Sequence, residues 1–152
     1  MLKTILVPID GSDSANRALN VALDIALKFN SKVVIMNVIK ETIFPKIRAR
    51  DVLYSAPTKG YVEYSNKIRE VRKILLQESL EDAQAYVKHK LEIDTILLEG
   101  NPAEMILAEA DAIKANLIVI GSRGLGGVRG LLLGSVSQAV VKGAKVPVTV
   151  VP

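Results

Sequence analysis

The opening of the chain restricts its fold more than any other stretch. An almost wholly apolar run, Thr4-Ile-Leu-Val-Pro-Ile9, breaks off at Asp10-Gly11-Ser12-Asp13 and gives way to Ala15, Ala18, Leu19, Ala22, Ile25, Ala26 and Phe29 at three- and four-residue spacing. After Asn30-Ser31 a second apolar run follows, Lys32-Val-Val-Ile-Met-Asn-Val-Ile39. Continuous apolar runs of this length suit strands buried on both faces, and the intervening period is that of an amphipathic helix. Strand, helix and strand in so short a stretch make a βαβ unit, which commits the chain to a parallel sheet.

The pattern repeats to the end. Residues 41–60 carry Pro45, Pro57, Gly60 and the cluster Lys46, Arg48, Arg50, Asp51 without a sustained period, and read as a mobile loop. Tyr64, Ile68, Val71 and Leu75, continuing into Leu76, Leu80, Ala83 and Val87, predict a long amphipathic helix over 61–90 whose stripe packs in the core. Ile93-Asp-Thr-Ile-Leu-Leu98 is a third strand, less continuously apolar and so suited to an edge. Asn101-Pro102-Ala-Glu104 is a strong helix start, with an N-cap, proline at the first helical position and a capping glutamate. That helix runs to about Ala115. Asn116-Leu-Ile-Val-Ile-Gly121 is a wholly apolar fourth strand, expected inside the sheet. A short helix over 135–142 and a last strand, Val146-Pro-Val-Thr-Val-Val151, close the chain. The expected architecture is a single α/β domain over 1–152: an open five-stranded parallel sheet, Rossmann-like, with helices on both faces.

Composition narrows the chemistry. The 152 residues contain no cysteine, which excludes disulfides, thiolate metal sites and a cysteine nucleophile and favours a reducing, cytoplasmic setting. No apolar run approaches the roughly 18 residues of a membrane span, and no signal peptide is visible. Twenty Lys and Arg against 16 Asp and Glu leave a formal charge of +4, but the basic residues are dispersed. With two Phe, four Tyr and no Trp to stack bases, nucleic-acid binding is not expected.

In such a sheet, ligands bind beyond the carboxyl ends of the strands where the strand order reverses. Here those ends offer Pro8-Ile9-Asp10-Gly11 and a glycine-rich stretch, with Gly121, Gly124, Gly126, Gly127 and Gly130 followed by Gly134 just before a helix. Neither G-x-G-x-x-G nor G-x-x-x-x-G-K-[ST] fits. A backbone this rich in glycine can nevertheless wrap an anion with its amides. Ser135 and Ser137 could add hydroxyl donors, and Arg123 and Arg129 could add charge. Structural roles stand beside these. Ser12 can cap the first helix, Ser135 with Gln138 forms a capping box, Asp10 can cap the helix that follows it, and His89, the sole histidine, lies between two lysines as a surface residue would.

Gly121-x-x-Gly124, nine residues, then Gly134-Ser135 resembles the G-2x-G-9x-G-[S/T] motif of ATP-binding universal stress proteins. The opening Ile-Leu-Val-Pro-Ile-Asp-Gly-Ser, Asn37-Val38, Gly100-Asn101-Pro102 and the terminal Val-Pro-Val-Thr-Val-Val agree with that family along the whole chain. The resemblance implies strand order 3-2-1-4-5 and ATP, or another adenine nucleotide, held between the first and fourth strands. By the same resemblance Asp10 would bind the ribose or a divalent Mg²⁺ or Mn²⁺, and the backbone of Val38 would meet the adenine. Pro8, Ile9 and Ile120 would line the base and sugar site. Gly121, Gly124, Gly134, Ser135 and Ser137 would hold the phosphates, with the amide of Val136. It also implies a homodimer in which the last strands, 146–151, pair antiparallel. Left alone, that strand would be an exposed apolar edge.

Three functions follow. A nucleotide-dependent sensor or switch in stress response, with at most slow metal-assisted ATP hydrolysis, fits the intact motif and the lack of a convergent histidine or second acid. A nucleotide-independent dimeric interaction protein is the alternative. An adenine-nucleotide α-hydrolase fits less well, because Asp10-Gly-Ser-Asp-Ser is too short and acidic for the pyrophosphate loop of those enzymes.

Overall fold

A computed structural model of the protein describes residues 1–40, 59–126 and 133–152. The expected loop over 41–60 therefore lies outside the described residues except at its end, as do Gly127, Arg129 and Gly130. The elements run β1 (Thr4–Pro8), α1 (Asp13–Phe29), β2 (Lys32–Lys40), α2 (Lys59–Tyr86), β3 (Ile93–Gly100), α3 (Pro102–Ala112), β4 (Leu117–Gly121), α4 (Ser135–Gly143) and β5 (Val148–Val151). All strand pairs are parallel and the sheet order is β3-β2-β1-β4-β5.

The alternation of side chains along each strand builds two cores. Ile5, Val7, Val33, Ile35, Leu117 and Val119 face one way and pack against α1 and the C-terminal half of α2. Leu6, Val34, Met36, Ile118 and Ile120 face the other way, against Ile106 and Ala110 of α3 and Val140 of α4. Small residues on α1, namely Ala15, Ala18, Ala22 and Ala26, are buried and let its axis lie close to the sheet. The caps form as read: Ser12 accepts from the Ala15 amide at 3.3 Å, and Asn101 from Glu104 at 3.2 Å with Pro102 at the helix start. The edge position of β3 and the interior position of β4 also match the sequence patterns.

The long helix departs from expectation. It spans Lys59–Tyr86, and its apolar stripe is core only from Leu76 onward, while Tyr64 and Val71 are 59% and 58% exposed. Twenty-eight helical residues rise about 42 Å, whereas the nine-residue β2 covers about 30 Å, so the helix outruns the sheet it packs on. Beyond its end Lys88 and His89 adopt φ of 51° and 54°, and His89 is exposed, as its sequence neighbours suggested. β5 begins at Val148 rather than Val146, because Pro147 contributes only its carbonyl, to the Ile118 amide at 3.0 Å.

The route of the chain creates the crevice. From β1 it passes through α1 on one face to β2, while α3 and α4 flank β4 on the other face. The β1–β4 register covers Ile5–Leu117 and Leu6–Ile118, whereas on its other side β1 stays paired with β2 out to Pro8–Met36. Pro8 has no N–H to donate. The carboxyl ends of β1 and β4 thus separate at the topological switch point, where open α/β sheets hold ligands.

Candidate functional site

A cavity of about 520 Å³ occupies this crevice, a size usual for small-molecule sites. Its apolar wall is made by Pro8 and Ile9 at the end of β1, Met36 and Val38 on β2, and Pro102 and Ile106 on α3. The opposite wall is the chain leaving β4 and entering α4: Ile120, Gly121, Arg123 and Gly124, then Gly134, Ser135, Val136 and Ser137. Asp10, at the end of the strand between them, completes the lining on the polar side. All twelve residues singled out in the sequence therefore surround one cavity.

The glycine stretch is stitched closed by the main chain. The Ser122 amide donates to Val151 O at 2.7 Å, and its carbonyl accepts the Gly134 amide at 2.7 Å and Ser137 Oγ at 2.8 Å. Ser137 Oγ lies 2.9 Å from Gly134 O as well, and is 3% exposed. These bonds bring the two ends of the motif together. The capping box expected at Ser135 and Gln138 does not form: Gly134 takes the cap position, and no side chain among the described residues caps the start of α4. The first-turn amides of a helix have no intrahelical acceptors. At Ser135, Val136 and Ser137 they stand on the cavity wall, with the positive end of the helix dipole.

Asp10 acts as a clamp. Its Oδ1 accepts the Ser12 amide at 2.9 Å, so the residue shapes the turn into α1, and its Oδ2 accepts the Leu125 amide at 3.1 Å across the crevice. Gly124 makes this possible, since a Cβ there would stand 2.6 Å from Asp10 Oδ2. Asn37, buried on β2, donates from Nδ2 to Ile9 O at 2.6 Å and holds the peptide that precedes Asp10.

Sequence reasoning passed over several residues here. Ser14 Oγ donates to Arg123 O at 2.5 Å, and Ser12 Oγ to the same carbonyl at 3.2 Å, so the first turn of α1 anchors the chain leaving β4. The repeated serine of Asp10-Gly-Ser-Asp-Ser was the available signal. Lys40 and Arg72 also line the cavity, and for Arg72 no local signal exists, because the pose of α2 decides where it points. Asp13 is separated from the site, lining a neighbouring cavity on the other side of Arg123 and Gly124. Arg123 borders both cavities and is exposed.

The model of the universal stress protein family matches residues 1–152. The chain belongs to the universal stress protein family. It is 37% identical to a universal stress protein of Thermus aquaticus and 31% identical to the universal stress protein YxiE of Bacillus subtilis, each over 151 residues and 99% of both chains. Among solved structures, the universal stress protein UspA of Lactobacillus plantarum shares the fold with a TM-score of 0.81 at 21% identity, covering 99% of this chain and 98% of that one. A universal stress protein solved in complex with cAMP is 29% identical, with a TM-score of 0.65 over 99% of this chain and 96% of the other. No helix among the described residues is long and apolar enough to cross a membrane.

Proposed function

We propose that the protein binds ATP in the β1–β4 crevice and works in the cytoplasm as a nucleotide-dependent switch in stress response. One observation carries this reading: a single cavity joins an apolar wall suited to a base, a carboxylate suited to a ribose, and a helix start with unused amides suited to phosphate. By this assignment the adenine lies against Pro8, Ile9, Ile120 and the backbone of Val38. Asp10 takes the ribose, while Gly121, Gly124, Gly134 and Ser135 to Ser137 hold the phosphates with Arg123 at their side. The cAMP complex of a solved family member supports an adenine-nucleotide ligand.

A Mg²⁺ or Mn²⁺ ion fits this site only as one shared with the nucleotide. Among the described residues no group of three or more acidic, histidine or cysteine side chains converges, and both Asp10 oxygens already accept backbone amides. Asp10 would be the protein's single ligand and the phosphates would supply the rest. With Asp13 in the neighbouring cavity, Asp10 is the lone carboxylate among the described residues of the wall, an arrangement suited to holding ATP more than to turning it over.

The Asp10–Leu125 bond supplies the switch. A ribose hydroxyl drawing on Asp10 competes with the Leu125 amide, so occupancy biases the chain that follows β4. Calorimetric titration of nucleotide-free protein with ATP and Mg²⁺ is expected to give micromolar or tighter binding, with a change in hydrogen exchange at Leu125. No binding by the folded protein would leave the nucleotide-independent interaction protein as the reading; binding with unchanged exchange would remove the switch alone.

Homodimerisation is the second part of the proposal. β5 pairs with β4 on one side and is the last strand of the sheet. Val148 and Val150 are half-buried, whereas Val151 is buried in its own core cluster and is not available to a partner. Antiparallel pairing of residues 146–151 across a two-fold axis would cover Val148 and Val150. Sedimentation at micromolar protein is expected to show a dimer, and Val148→Lys should shift it to monomer; a wild type that sediments only as monomer rules out the assignment.

A further inference from the structure

We propose that Arg72 is a specificity-determining residue of the cavity, recognising a phosphate of the bound ligand so that the site selects nucleotides over nucleosides. This rests on the reading of the cavity as an adenine-nucleotide site. α2 carries four cations in close succession, Lys67, Arg69, Arg72 and Lys73. Two of them are paired on its surface, Arg69 with Glu99 at 2.7 Å and Lys73 with Glu70 at 2.9 Å. Arg72 makes no ion pair among the described residues and lines the cavity instead. Leu76, one turn on and on the same helix face, is buried in the core. Burying Leu76 under the sheet therefore aims Arg72 just past the carboxyl end of β1.

There its Nη1 donates to the Asp10 carbonyl at 3.4 Å, a long bond that orients the side chain without satisfying it. A guanidinium has five N–H donors in a planar fork that matches phosphate oxygens. Because Arg72 meets the carbonyl of Asp10, the carboxylate keeps its bonds to Ser12 and Leu125. Charge points the same way. The described lining holds Lys40, Arg72 and Arg123 against the lone carboxylate of Asp10, a positive excess that attracts a polyanion. Of these cations, Arg123 is exposed and borders two cavities, whereas Arg72 is half-buried and tethered, so less freedom is lost when it binds.

The test is calorimetric titration of wild type, Arg72→Gln and Arg72→Lys with adenosine, AMP and ATP at fixed ionic strength, with thermal unfolding as a check on the fold. Arg72→Gln is expected to weaken AMP and ATP by about tenfold or more, as loss of a charge-assisted bond implies, and to leave adenosine within about twofold. Arg72→Lys should fall between, keeping the charge but not the fork. Equal weakening of all three ligands, or unchanged ATP affinity in a folded Arg72→Gln, would overturn the role of Arg72 while the nucleotide site stands. Wild type that binds none of the three would remove both readings together.

Discussion

Gly124→Val is expected to abolish ATP binding, by at least about 100-fold, while the fold survives. Any Cβ at this position would sit 2.6 Å from Asp10 Oδ2, closer than real Cβ atoms come to another heavy atom. The carboxylate must then swing away, giving up the amides of Ser12 at 2.9 Å and Leu125 at 3.1 Å. Two bonds to a charged acceptor are worth roughly 1.5–3 kcal/mol each where they shape a site, and a branched side chain also blocks approach of phosphate to the backbone. Gly124 is exposed, so the loss belongs to the site more than to the core. Gly126→Ala is the control, because its Cβ would meet nothing within 4 Å. Titration of both variants decides the matter: Gly124→Val binding within threefold of wild type would show that the clamp is dispensable.

Gly121→Ala should act on stability and do so strongly. Its Cβ would lie 2.6 Å from Ser14 Oγ, 2.7 Å from the Ala15 amide nitrogen and 2.8 Å from the Ser14 carbonyl carbon. Two of these three neighbours are backbone of the first turn of α1, which cannot rotate aside as a side chain can. Relief requires α1 to move off β4, disturbing the Ser12 and Ser14 bonds to Arg123 O and the alanine-lined contact with the sheet. Overpacking of this kind costs about 3 kcal/mol, which for a chain of this length lowers Tm by roughly 10 °C. Gly134→Ala, whose nearest neighbours would be at 3.5 Å, should shift Tm far less. Circular dichroism melts separate the two, and a Gly121→Ala melt within about 2 °C of wild type would mean that the helix gives way at little cost.

Features fixed by neighbouring residues could be read directly from the sequence. The apolar runs of β1, β2 and β4 are strands because burial on both faces admits no polar alternation. Ser12 and Asn101 are caps because a helix start needs an acceptor within reach of its own amides. The spaced glycine motif and the strand-end aspartate could be read from the residues themselves, whereas Val38 on β2 and the assignment of residues to the base and sugar came only from the family resemblance. The motif and the aspartate lie within two chain segments that any sheet of this kind brings together at its switch point.

Where local patterns competed, they misled. Ser135 and Gln138 have the spacing of a capping box, yet Gly134 caps α4 because its own amide is drawn to Ser122 O, a residue twelve positions earlier. The periodicity of α2 is helical throughout, but period alone does not say where the sheet beneath the helix stops. Tyr64 and Val71 are thus exposed on the same stripe whose continuation at Leu76, Ala83 and Val87 is buried.

Residues close together in the chain, and a motif with its own spacing, were enough to define the strands, the helices and the two ends of the crevice. Tertiary structure alone decided that the Asp10 carboxylate clamps Leu125, that Ser14 grips Arg123, and that Arg72 reaches the cavity wall. Those contacts join residues 62 to 115 positions apart in the chain. Whether two such groups meet depends on where α1 and α2 settle on the sheet, a result of burying Ala18, Ala22, Leu76 and Ala83 that no local pattern encodes.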